Sequence, residues 1–158
     1  MKKQFSFLSA LVGATLLATG AWSIPALAHE ADCPYCDMSI TENTPTQDNK
    51  AALIQGKKRV SYKCVYCAVA DAKSEYKGNL SISAPSEKKG RPVLIKRIGA
   101  KWSTLPATAA FVNPSKNLKH RVCQQQSRAF TTKAAAAAYA KANNGEVVTL
   151  ARLIELAE

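Results

Sequence analysis

Five cysteines in a 158-residue chain are the residues most able to do chemistry, and four of them fall into two C-x-x-C pairs. The first is Cys33-Pro34-Tyr35-Cys36, followed at once by Asp37 and Met38. Two thiolates at this spacing can grip one metal ion, and a thioether two residues on adds a second kind of soft sulfur. Cysteine together with methionine selects Cu(I) over harder ions. Met38 is the sole methionine besides Met1, and its place in a polar segment beside a cysteine pair favours a ligand over a gap-filling core residue.

The second pair, Cys64-Val65-Tyr66-Cys67, opens a stretch with helical spacing. There the helix dipole and its unpaired N–H groups favour the thiolate form. Read together, Cys33, Cys36, Cys64 and Cys67 follow the C-x2-C…C-x2-C pattern of a treble-clef four-thiolate zinc site, with one pair in a loop and the other at a helix start. One or two disulfides are the competing use of the same residues outside the cytosol. Cys123 makes the count odd, so at least one thiol is left for a metal, for another chain or unpaired. The two histidines are His29 and His120. His29 can chelate Cu(II) only if it becomes the N-terminal residue, and His120, three residues before Cys123, reads as a surface imidazole or as a companion ligand.

The elements that must hold these residues can be read from periodicity. Residues 50–55 and 59–63 alternate as two strands around Gly56-Lys57. Val65, Ala68, Val69, Ala72 and Tyr76 share one face of a helix that Gly78 would end. Residues 79–84 alternate again, and the charged stretch 85–90 is the best boundary between two units. Residues 92–98 and 101–105 suit a hairpin around Gly99-Ala100, 109–112 a short strand, and 113–126 an irregular polar loop. Thr131 or Thr132 can cap an alanine-rich helix to about Lys141, stopped by Asn143-Asn144-Gly145. A strand over 146–149 and a short helix over 150–156 close the chain. The expected fold class is α+β: two small ββαβ-like subdomains, 29–86 with the cysteine pairs and treble-clef-like, and 87–158.

Residues 1–28 have the three parts of a cleavable signal peptide. Lys2 and Lys3 lead, an apolar run from Phe5 to Leu17 follows, and Ala26-Leu27-Ala28 forms a small-x-small site. The run is broken by Ser9, Gly13 and Thr15 and falls short of the roughly 20 apolar residues of a membrane span. Export to the periplasm is therefore expected. The net charge of +11 falls by only two when Lys2 and Lys3 are removed. The basic groups are not interleaved with aromatics that could stack on bases, so nucleic acid is not an expected partner. Solvated lysines, with peripheral contact to an anionic membrane surface, account for the charge.

The order of segments resembles the NosL family, accessory proteins of nitrous-oxide reductase that bind copper in the periplasm. The resemblance rests on Cys33-Pro34-Tyr35-Cys36-Asp37-Met38 and on Arg128-Ala129-Phe130, Ala135, Ala138 and Asn144-Gly145-Glu146-Val147. Asp37 stands where the family prefers glycine, and Val122-Cys123-Gln124 where it often has a methionine-glycine pair. The resemblance implies copper handling, with Cys36 and Met38 carried over as Cu(I) ligands and Cys123 as a soft substitute for the family's methionine. No Ser/His/Asp set, phosphate loop or H-E-x-x-H helix is present in the sequence. The expectation is thus a binding protein and not an enzyme: an exported Cu(I) chaperone serving a client metalloenzyme or other copper protein. Zinc in a structural, partner-binding domain is the alternative, and thiol chemistry, by disulfide exchange or organometal cleavage, is a third.

Overall fold

The computed structural model describes residues 30–41, 49–113 and 127–157. Residues 1–28, expected to be a signal peptide, His29, the expected loop beyond Asn113, His120 and Cys123 lie outside the described residues. The architecture is α+β, with three helices and three antiparallel sheets among the described residues.

Strands β1 (Glu30–Asp32) and β2 (Ser39–Thr41) form a two-stranded ribbon in register Ala31 with Ile40, and the first cysteine pair occupies the turn between them. The polar, turn-rich look of this segment hides both strands, which are three residues each and too short to show a period.

The expected hairpin forms as β3 (Ala51–Gln55) and β4 (Lys58–Tyr62), with Gly56 at φ +59 in the turn. Positive φ is the left-handed region that glycine enters without steric cost, which is why the turn carries it. Helix α1 (Val65–Ser74) follows, and then β5 (Leu80–Ala84), which pairs on the other side of β3. β6 (Val93–Ile98) and β7 (Lys101–Leu105) form the expected hairpin, and β6 pairs with β5. The five-stranded sheet therefore runs β4-β3-β5-β6-β7. The stretch 87–158 contributes strands to two sheets, because β6 and β7 complete the sheet begun by β3 to β5.

β8 (Ala110–Asn113) is the centre of a three-stranded sheet, between β9 (Arg128–Phe130) and β10 (Glu146–Val148). All four β8 residues are buried because both faces are covered. Phe111, aligned with Ala129 and Val148, faces the main core, while Ala110, Val112 and Phe130 face Ala136 and Ala140 of helix α2 (Lys133–Ala142). This is strand alternation with two dry sides. Thr132 caps α2 by accepting from the Ala135 N–H at 3.2 Å. After Asn144 at φ +51, the Gly145 N–H bonds back to Ala140 O at 2.9 Å. A Cβ on Gly145 would lie 2.6 Å from Val112 Cγ1 and 3.1 Å from Asn113 O, so this glycine is required by the close approach of β8.

Helix α3 (Leu150–Leu156) is capped by Thr149 and packs on α1, β7 and β8, with Leu153 wholly buried. It is tied to α1 by Tyr66 Oη donating to Leu156 O at 2.8 Å and Lys73 Nζ donating to Ala157 O at 2.9 Å. Among the described residues no helix is long and apolar enough to cross a membrane.

Candidate metal and thiol site

The first pair of cysteines is shaped by a tight turn. Cys33 N–H donates to Met38 O at 3.0 Å and Asp37 N–H donates to Cys33 O at 2.9 Å. Closing the turn puts Asp37 at φ +56, in the left-handed region. Glycine is the usual occupant of such a position, and the short polar side chain of Asp is among the few others that tolerate it. Pro34, with its fixed φ, starts the turn. The turn is held against α1 by an edge-to-face contact of Tyr35 with Tyr66, ring centroids 6.0 Å apart, and by Lys63 Nζ donating to Ser39 O at 2.6 Å.

The second pair sits at the N-terminus of α1. Cys64 is the N-cap residue, with extended backbone at φ −156 and ψ 174, and Cys67 lies in the first turn. Both are fully buried, as is Cys33, while Cys36 is partly exposed. None of the four described cysteines is in a disulfide.

The structure brings three of these thiols together. The sulfurs of Cys33, Cys36 and Cys67 all lie within 4.8 Å of one another, with Cys67 Sγ 3.7 Å from Cys36 Sγ. Cys64 Sγ lies 3.7 Å from Cys67 Sγ and outside the three-thiol group. Thiolates that share an ion at about 2.3 Å are roughly 4 Å apart, so the three-thiol group has the spacing of a soft-metal site. Met38 packs at the edge of the main core, and its backbone, not its thioether, has the described role in the turn.

The electrostatics of the site are uneven. Cys33 is lowered from its ordinary value of 9.0 to about 6, first by the hydrogen bond from the Cys67 side chain and then, against the cost of burial, by the backbone N–H groups of Lys63, Tyr35 and Cys36. Cys36 is pushed up, chiefly by burial and also by the negative charge on Cys33, with the Met38 N–H working the other way. The site thus holds a thiolate at neutral pH beside a thiol that retains its proton. Backbone donors around one sulfur and a partly exposed second sulfur suit both capture of a thiophilic ion and thiol exchange.

Two buried features near α1 escape the sequence patterns. Tyr62 Oη donates to Asp71 Oδ2 at 2.5 Å, and burial together with this carboxylate pushes the phenol far above its ordinary value. Arg97, on β6 and only 8% exposed, donates through Nη1 to Ala72 O at 2.5 Å, through Nη2 to Tyr76 O at 2.8 Å and through Nε to Gly78 O at 2.9 Å. It closes the C-terminal end of α1, where carbonyls lack helical donors and a cation is favoured. In the sequence, the alternation that marks β6 as a strand already places Arg97 on the same face as Val93 and Ile95.

Fold and site together define an α+β protein with a buried cluster of thiols able to bind a metal ion or to carry out thiol chemistry. Neither the protein-family models nor the curated proteins give a match to this chain. Among solved structures, the fold is similar to that of the mercury-bound form of MerB2, with 14% sequence identity and a TM-score of 0.55 over 72% of this chain and 57% of that one. The chain therefore spans little more than half the length of that protein. The likeness corrects the expectation that the chain is not an enzyme. That expectation rested on the absence of hydrolase and phosphate motifs, and the fold shared with MerB2 does not bear it out.

Proposed function

We propose that the chain takes up a soft metal ion, Cu(I) before Zn(II), on Cys33, Cys36 and Cys67 and hands it to a client metalloenzyme, as its resemblance to the NosL family implies. The observation that carries this reading is the group of three sulfurs within 4.8 Å of one another; the Cys67 thiol, and after it backbone donors, favours the thiolate of Cys33. Structural zinc favours four tetrahedral ligands in a closed site, whereas soft thiolates in smaller number suit Cu(I). Partial exposure of Cys36 gives an incoming or departing ion a route, which delivery requires. The site works in the periplasm after removal of residues 1–28, and the positive surface rests against anionic lipid or an acidic client.

The test is an anaerobic competition titration of the reduced full chain against a chromogenic Cu(I) chelator. One tightly held Cu(I) per chain is expected. Replacing Cys67 with alanine should weaken it by at least about 100-fold, equivalent to roughly 2.7 kcal/mol. Unchanged affinity in Cys67→Ala, or displacement of Cu(I) by equimolar Zn(II), overturns the reading.

The likeness to mercury-bound MerB2 favours a second reading, in which the same thiols receive a metal that is still bonded to carbon, a cysteine thiol passes its proton to that carbon as the bond breaks, and the resulting thiolates keep the metal. Release of the hydrocarbon from an alkylmercury or alkyltin probe by the reduced chain, and its loss in Cys67→Ala, is the expected result. No release above that of free thiol rules it out.

A further inference from the structure

Cys64 is the sulfur that the three-thiol group does not include. It lies 3.7 Å from Cys67 Sγ, which in turn lies 3.7 Å from Cys36 Sγ. The three form a file that runs from a partly exposed residue to two wholly buried ones. Cys64 and Cys67 are also a C-x-x-C pair across an N-cap and first helical turn, joined by a very short covalent loop. A disulfide between them would need the sulfurs to close from 3.7 Å to about 2.05 Å, a side-chain adjustment within one turn.

We propose that these cysteines form a disulfide relay: a disulfide-bearing oxidant is met at Cys36, and the oxidation ends as a Cys64–Cys67 disulfide that withdraws Cys67 from the metal site. In the first step Cys36, giving up its proton as it reacts, attacks one sulfur of the oxidant RSSR, forming a mixed disulfide and releasing RS⁻; Cys36 regains a proton when it is returned to its reduced form in the last step. The Cys67 thiolate then attacks the Cys36 sulfur and expels the second RS⁻. Finally the Cys64 thiolate attacks the Cys67 sulfur and returns Cys36 to its reduced form. Two electrons leave Cys64 and Cys67, and their two protons go to the two RS⁻, which become RSH. The relay ends at Cys64 because a fully buried disulfide is shielded from attack by bulk thiols, whereas any disulfide to Cys36 is within their reach. Cys33 stays reduced because it is wholly buried and an external oxidant reaches only Cys36. The inference uses the thiol cluster of the proposed metal site, but it stands on the reduced, metal-free protein and is judged separately from metal binding.

The experiment exposes the reduced, metal-free full chain to oxidised glutathione, quenches with an alkylating agent and maps disulfides by mass spectrometry of digests. A predominant Cys64–Cys67 disulfide is expected, and Cu(I) affinity of the oxidised chain should fall at least about tenfold and return on reduction. Cys36→Ser, at the partly exposed end, should slow formation of that disulfide by about tenfold or more, since access to the buried pair is lost. Cys64→Ser should stop at Cys36–Cys67 or at glutathionylated Cys36. A stable Cys33–Cys36 product in the wild-type chain, or an undiminished rate in Cys36→Ser, overturns the relay. An oxidised chain that binds Cu(I) as tightly as the reduced one overturns its hold on the metal site. Failure of the reduced chain to bind Cu(I) bears on the metal reading alone, because the disulfide map is scored without metal.

Discussion

The two cores of this protein bury different kinds of polar group. Around α1, the described buried residues include Cys33, Cys64, Cys67, Tyr62, Asp71 and Arg97, groups that ionise or carry charge. Around α2, β8 and β9 they are neutral: Asn113, Ser127 and Thr131, set among alanine, valine and phenylalanine. In the second region the polar groups satisfy one another or hold a loop, as when Ser127 Oγ donates to Asn113 Oδ1 at 2.6 Å and Thr131 donates to Glu87 from its backbone and its hydroxyl. The first region spends its buried hydrogen bonds on shaping the environment of sulfur and closing the helix that presents it. Among the described residues the buried ionisable groups thus gather on one side, and the alanine-faced helix serves packing.

The largest expected break in this contrast is in pH. Cys33 has a folded value of about 6 against an ordinary 9.0, a depressed acid, so its contribution to stability is fully present above pH 9 and is lost as pH falls towards 6. Stability of the reduced, metal-free chain should fall across that window by an amount on the order of a few kcal/mol, and Cys33→Ser should flatten the profile. The ultraviolet absorbance of thiolate should show a matching step near pH 6 that the variant lacks. Arg97→Met should cost about 3 kcal/mol in urea melts, because three carbonyls, one in the last turn of α1 and two in the segment that follows it, lose their donor at once.

On the other side of the contrast, Gly145→Ala should cost about 1–3 kcal/mol through its clash with Val112 and Asn113 O, with Cu(I) affinity unchanged. A change in metal affinity there would show that the two regions are not independent. The smallest effect is expected for Met38→Leu, which should cost less than about 1.5 kcal/mol of apo-protein stability. Its Cu(I) affinity tells whether the thioether is a fourth sulfur: a fall with stability intact makes it a ligand, and the reverse makes it core.

Local signals carried most of the secondary structure. The hairpin turns at Gly56 and Gly99, the Thr132 cap and the Asn143-Asn144-Gly145 stop are all written within a few residues, and the corresponding elements form. β1, β2 and β9 were not legible, because three residues cannot display a period and, unlike β10 after Asn143-Asn144-Gly145, they follow no helix stop that marks their start. The joining of β6 to β5 was not legible either, since strand order is decided by burial across the chain and not by any one segment. In the site, the two C-x-x-C pairs announce sulfur chemistry by spacing alone. Which sulfurs converge depends on how the β1–β2 turn docks on α1, through Tyr35, Tyr66 and Lys63, and no spacing rule contains that contact. Asp37 takes a positive φ in the turn, a conformation that glycine favours and aspartate can meet, and no spacing rule announces it. The expectation against an enzyme failed because it rested on missing motifs, while the likeness to MerB2 lies in a fold shared at 14% identity.

The central claim is that Cys33, Cys36 and Cys67 act as one soft-metal site. Copper X-ray absorption on the Cu(I)-loaded, reduced full chain tests it most directly, since it counts and types the atoms bonded to the ion. Sulfur neighbours alone, three of them at about 2.3 Å, with one lost in Cys67→Ala, are the predicted result. Nitrogen or oxygen neighbours, or a sulfur count that does not change in Cys67→Ala, would contradict it.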